Sequence, residues 1–171
     1  MNLSSFYNTL ITNFAAADRI FDILDQEPDI ENIGKAPKMN RIEGKVEFRN
    51  IDFSYNVGGK VLNNINFKVN PGDKIALVGA TGSGKTTIIS LLSRFYDPTD
   101  GEILVDGKNI KYVDLYSYRS QMGIMLQDTF LFSSTIMENI RYGRLDATDE
   151  EVINAAKAVN AHEFIMKLED F

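Results

Sequence analysis

The run Gly79-Ala80-Thr81-Gly82-Ser83-Gly84-Lys85-Thr86 constrains this chain more than any other stretch. It satisfies the spacing G-x-x-x-x-G-K-[ST] at every required position, a pattern whose backbone N–H groups converge on one anion. Glycines stand where a Cβ would block that approach. The lysine and the hydroxyl come next, at the start of a helix whose first N–H groups are unpaired and whose dipole is positive there. The flanks agree with the loop. Ile75-Ala76-Leu77-Val78, introduced by the turn signal Pro71-Gly72-Asp73, reads as a short buried parallel strand. Ile88, Leu91, Leu92 and Phe95 recur at helical spacing and predict an amphipathic helix stopped by Asp97-Pro98.

Strand, glycine loop and helix in that order predict a purine nucleoside triphosphate site with Mg²⁺ as the expected metal. Lys85 would reach the β- and γ-phosphates, and the Thr86 hydroxyl would take a place on the metal. A glycine-rich turn with a chance lysine explains the loop but not its flanks. A dinucleotide loop fits less well, because Thr87 stands where its third glycine belongs and Lys85 has no part in it.

Composition excludes several classes. The 171 residues fit one domain, and 44% apolar with 25% charged residues is ordinary for a globular chain. A net charge of -6 without a long basic run argues against a nucleic-acid surface. There is no cysteine, so disulfides and thiolate metal sites are excluded. No run is long and apolar enough to span a bilayer, and no signal peptide is evident. The expected location is the cytoplasm, at a membrane's cytoplasmic face if membrane-associated.

Three segments emerge along the chain. Over residues 1–25, Leu3, Phe6, Leu10, Phe14, Ala17, Phe21 and Leu24 form a helical stripe. This helix either packs on its own domain or continues from, or docks onto, something outside the chain. Residues 26–41 hold scattered polar residues, prolines and a glycine, and read as a linker. From residue 42 to 171 the pattern is α/β. Val46 and Phe48 alternate, and Ile51, Phe53 and Tyr55 alternate in the opposite phase, which predicts a bulge at Arg49-Asn50. Ile65, Phe67 and Val69 supply the inward face of the next strand, after a turn at residues 57–60.

Tyr55 at the strand's tip is either a structural tyrosine or an aromatic that stacks on a base. Gly101 to Gly107 reads as a strand closed by an Asp-Gly turn; its Asp106 follows three apolar residues, as a metal-side acid would, but the turn favours a structural role. Residues 110–121 predict a short helix, and Ile124-Met125-Leu126 a brief strand. Gln127, just past that strand, is either a solvated loop residue or a neutral ligand to Mg²⁺ and the attacking water. Thr135-x-x-Glu138 and Thr148-x-x-Glu151 predict capped helices, and His162 reads as structural.

Taken together these stretches resemble one family, the nucleotide-binding domain of ABC transporters of the exporter type. The carrying residues are Phe53-Ser54-Tyr55, Val69-Asn70-Pro71-Gly72, Val78 to Thr87, Phe95 to Gly101 and Asp106-Gly107. Gln127 to Phe132 and Glu138 to Gly143 continue them. The resemblance implies a P-loop NTPase core with an incomplete parallel sheet, an N-terminal antiparallel β-subdomain and a leading helix. It implies that Tyr55 stacks on adenine, that Gly79 to Thr86 is the Walker A loop, and that Gln127 positions Mg²⁺ and water. It further implies a transmembrane domain whose coupling helix docks near Asp128 to Phe132, and a second nucleotide-binding domain, identical or not. The helix of residues 1–25 is similar to the cytoplasmic end of a last transmembrane helix.

The chain also departs from the family pattern. No Leu-Ser-Gly-Gly-Gln-like signature, no apolar strand ending Asp-Glu and no switch histidine occurs in it. The expectation is therefore a truncated domain that grips Mg-ATP with little or no hydrolysis, since loss of a general base lowers rates by about 10²–10⁴. A stand-alone module that binds nucleotide or a partner without turnover is the alternative. The same gap predicts a marginally stable or associating chain, because a doubly buried strand left at an edge exposes backbone and apolar surface.

Overall fold

β-branched and aromatic residues at two-residue spacing build a twisted sheet around which the first part of the molecule is organised. The computed structural model describes residues 3–55, 59–125 and 130–168. They divide into two units, 1–122 and 123–171, each taken here by itself.

In the first unit, β1 (Val46–Ser54), β2 (Lys60–Val69), β3 (Asp100–Val105) and β4 (Lys108–Asn109) form one sheet in the order β2-β1-β3-β4. Every pair is antiparallel. The bulge expected at Arg49-Asn50 is present: Phe48 pairs with Phe67 but Ile51 with Ile65, and Asn50 adopts φ 50°. That extra residue turns Phe48, Ile51 and Phe53 to the same buried side, where they meet Leu62, Ile103 and Val105. The rings of Phe48 and Phe67 stack at 4.4 Å across the β1–β2 pair. Gly101 is required where β3 approaches the bulge. At its φ of 85° a Cβ would lie 2.4 Å from the carbonyl oxygens of Arg49 and Asn50.

Helix α2 (Lys85–Leu92) buries Leu91 against this core. It ends earlier than the sequence suggests. Arg94 takes φ 53°, and the bonds Phe95 N to Ser90 O and Arg94 N to Leu91 O close a Schellman motif before Asp97-Pro98 is reached. A 3₁₀ turn (Ile110–Tyr112) and α3 (Leu115–Arg119) follow the sheet. Asp106 has the structural role: its carboxylate accepts from the backbone N–H groups of Glu43, Gly44 and Lys45 at 2.7, 3.1 and 2.9 Å. It clamps the entry to β1.

Two strand expectations are corrected. Residues 75–78 and, of the expected strand at 124–126, Ile124 and Met125 are not strands, Leu126 lies outside the described residues, and the described sheet contains no parallel pair. A parallel strand exists only through ladder bonds to neighbours, and no described segment offers them. Val78 is accordingly 93% exposed and Met125 96%. The α/β class stands, with its sheet carried by the antiparallel part.

Residues 26–45 form no helix or strand, yet they are fastened down. Asn32 bonds both the Asp114 carboxylate and Leu115 N, Met39 N donates to Ser117 Oγ, and Gln121 brackets Asn40 and Ile42. Met39 itself is buried in the core. Helix α1 (Leu3–Leu24) is different: Leu10, Phe14, Phe21 and Leu24 along its stripe are exposed, Phe14 by 70%, and so is Tyr7. No helix among the described residues is long and apolar enough to cross a membrane.

The second unit holds α4 (Ile136–Arg141), α5 (Asp149–Ala158) and α6 (His162–Ile165). Thr135 caps α4 through Glu138 N, and Thr148 with Glu151 forms the full reciprocal capping box of α5. Arg141 ties the two helices by bonding Glu138 at 3.2 Å and Asp149 at 2.6 Å. His162 lines an apolar groove of about 380 Å³ together with Ile136, Val152 and Ile165.

Candidate nucleotide site

The glycine loop opens onto the N-terminus of α2, and its backbone explains its composition. Gly82 and Gly84 adopt φ 82° and 88°, which favours glycine over any residue with a Cβ. A Cβ on Gly84 would also lie 2.6 Å from Leu62 Cδ2, and one on Gly79 would lie 2.6 Å from Ser83 Oγ. Gly84 is the N-cap of α2 and supplies no side chain, so no side-chain cap occupies the first turn. Those donors and the positive helix end face the loop that Ala80, Thr81 and Ser83 complete.

Lys85 lies folded over this loop. Its Nζ donates to Gly79 O and Ala80 O, both at 2.8 Å, with Ser83 Oγ at 3.4 Å. The ammonium is thus held by neutral carbonyls that phosphate oxygens would replace as stronger, charge-assisted partners. Thr86 is exposed beside it, free to offer its hydroxyl to a metal. A loop of this shape, with an uncapped helix end and one poised cation, fits a polyphosphate. Gln127 and Asp128, which the sequence singles out, lie outside the described residues.

Tyr55 is brought next to this helix. Its hydroxyl and Thr87 Oγ1, on the first turn of α2, are 3.2 Å apart and hydrogen-bonded. Its ring meets Phe53 and Tyr96 edge-on, at 4.8 and 5.2 Å, and stays 37% exposed. The sequence reading missed Tyr96 as a member of this cluster; its only signal was position, just past the end of α2. The tyrosines border a cleft of about 620 Å³.

The far end of α2 is held as firmly as the loop end is open. Tyr118 donates to Leu92 O, and Arg119 donates from Nε to Ser93 O at 3.1 Å and from its Nη2 to Arg94 O. The Arg119 guanidinium also stacks over Phe95 at 5.2 Å. Burial pushes the Tyr118 phenol up, so it remains a donor throughout the ordinary pH range. Two donors, one cationic, thus complement the negative end of the helix dipole.

A family model described as "ABC transporter" matches residues 62–169 of the chain. The chain belongs to the ABC transporter family. Among relatives, an ABC transporter ATP-binding protein of Bacillus subtilis (strain 168), YfiC, is 48% identical over 98% of this chain and 28% of its own length. An ATP-dependent lipid A-core flippase of Syntrophus aciditrophicus (strain SB) is 45% identical over 97% of this chain and 28% of its own length. Among solved structures, a bacterial Atm1-family ABC exporter with ATP bound superposes with a TM-score of 0.82 at 37% identity. It covers 99% of this chain, which spans 30% of that protein. The chain therefore corresponds to a little over a quarter of the length of the curated ABC transporter relatives it matches.

The fold seen here is shared with a solved exporter that has ATP bound, and the relative YfiC is named as an ATP-binding protein. In the second unit, Phe130, Leu131 and Phe132 stand exposed. Phe132 packs on Tyr142 at 4.8 Å, and Asn139 braces the loop by accepting from Phe132 N and donating to Phe132 O.

Proposed function

We propose that this chain grips Mg-ATP within the nucleotide-binding domain of an ABC exporter, where ATP binding and hydrolysis drive transport across a membrane. The observation that carries the reading is Lys85, folded over a glycine loop at the uncapped end of α2, on whose first turn Thr87 is bonded to Tyr55. In this reading the loop N–H groups and Lys85 bind the phosphates. Thr86 supplies a hydroxyl to Mg²⁺, which neutralises phosphate charge when bound. Thr87 and Tyr55 hold the nucleoside end, and Gln127 positions the water and the metal.

The partners follow from the same reading. The exposed aromatics at residues 130–132 would receive the coupling helix of a transmembrane domain, with Asp128 bordering the groove. The bare apolar stripe of α1 would join that domain at the membrane's cytoplasmic face. A second nucleotide-binding domain, identical or not, would close over the site. Residues 1–25 are then the helix, 26–41 the connection and 42–171 a partial ATP-binding domain. The chain itself has no Asp-Glu strand to activate water, so it holds ATP with little or no turnover.

Calorimetric titration with Mg-ATP tests the site. Lys85→Ala should weaken binding by about tenfold or more, as loss of a charge-assisted contact does. Unchanged affinity would remove the site assignment. Phosphate release well above a protein-free blank, and abolished by Lys85→Ala, would refute the absence of turnover.

A further inference from the structure

The cleft beside Tyr55 has a wall that comes from an unexpected part of the chain. Besides Phe53, Tyr55, Tyr96 and Asp97, it is lined by Asp29 and Ile30, which precede β1. Its volume of about 620 Å³ falls in the range of small-molecule clefts. One buried side chain fixes that wall. Arg94, 1% exposed, donates from Nε to Asp97 Oδ1 at 3.1 Å and from Nη2 to Glu31 O at 3.1 Å. A single planar guanidinium thereby joins the cleft's floor at Asp97 to the residue following Ile30.

Arg94 is also the left-handed residue that ends α2, at φ 53° where glycine is usual. The side chain accounts for the choice: glycine would relieve the backbone but leave residues 29–31 untethered. The helix whose first turn holds the loop thus fastens the cleft wall from its last turn.

We infer that Asp29 and Ile30 form part of the subsite for the nucleotide's base, and that Arg94 is the positioning residue that holds them there. The inference rests on the ATP reading of the loop. Ile30, half-buried, adds an apolar side chain to the cleft that Tyr55 also lines, where a base would meet both. Asp29 is exposed, and its carboxylate has no hydrogen bond or ion pair among the described residues, so it is available to accept from a base amino group. Phosphates bind elsewhere, so these residues act on the base alone.

The test compares ATP with inorganic tripolyphosphate, both with Mg²⁺, by calorimetric titration of the chain. The double variant Asp29→Ala/Ile30→Ala removes no buried core atom. It should lose ATP affinity by about tenfold, one decade of binding constant, while tripolyphosphate affinity stays the same. Arg94→Lys keeps the charge but loses the fork, and should lower the ATP-to-tripolyphosphate ratio in the same direction. An unchanged ratio in the double variant overturns the subsite, whether both affinities hold or both fall together. An unchanged ratio in Arg94→Lys alone overturns the positioning role. Failure of the ATP site itself reads differently: Lys85→Ala would then leave both ligands unaffected.

Discussion

At the scale of single residues, left-handed backbone is spent where side chains would collide. Gly101 and Gly107 show the distinction. Both have positive φ, at 85° and 77°, but a Cβ on Gly101 would strike two carbonyl oxygens of β1, while one on Gly107 would meet nothing. Gly107→Ala should therefore cost only the conformational term, about 1–2 kcal/mol. Gly101→Ala should add displacement of the β1 bulge and reach about 2–4 kcal/mol, within the tail of severe substitutions. Urea unfolding of the two variants measures the difference. Equal losses would mean that the bulge yields and the close approach has no consequence. The same logic explains Gly84, whose φ and contact with Leu62 leave room for nothing larger.

At the scale of elements, β1 carries a charge cluster with a definite pH signature. Glu47 meets Arg49 at 2.7 Å, Lys45 at 3.0 Å and Lys68 at 3.7 Å, and Arg49 reaches on to Glu102 at 3.0 Å. Hydrogen bonds from Arg49 and then Lys45 hold the Glu47 carboxyl down from its ordinary 4.5 to about 2. A folded value below the unfolded one means stability that is present above the ordinary value and lost as pH falls toward the folded one. Glu47→Gln should thus be less stable than the parent at pH 6, with the difference shrinking between about pH 4.5 and 2. Thermal melts across that range measure it. A difference independent of pH would show that the ion pairs contribute nothing.

The same element shows what sequence can reveal. The phase change between Phe48 and Ile51 announced a bulge because side-chain alternation is local, and each strand's partner lies within the described sheet. Capping boxes and the loop glycines were legible for the same reason: they encode bonds made within a few residues. Residues 75–78 and Ile124-Met125 were misread because apolar composition reports a wish to be buried, and a strand needs ladder partners that composition does not name. The pinning of residues 29–42 and the Arg94 and Tyr96 contacts were invisible, since they join positions more than sixty residues apart or depend on a side chain's direction. Of the candidate site, the glycine loop at the start of a helix was readable; the wall of the cleft was not.

At the scale of the whole molecule, apolar surface stands open in several places. Tyr7, Phe14, Phe21 and Leu24 line one face of α1, and Val78 and Met125 are almost fully exposed outside it. Soluble monomers rarely carry contiguous apolar patches beyond a few hundred Å², and burying such surface yields about 25 cal/mol per Å². The α1 stripe alone is a strong drive to associate, because helix formation leaves its apolar groups aligned but uncovered. The chain should therefore sediment as concentration-dependent oligomers and unfold over a broad, weakly cooperative transition. Replacing Phe14 and Phe21 by serine should shift it toward monomer without altering ATP affinity, since neither residue lies at the loop or the cleft. A chain that stays monomeric at high concentration and unfolds sharply would show that its apolar surface is covered in solution, and that α1 packs back on its own unit.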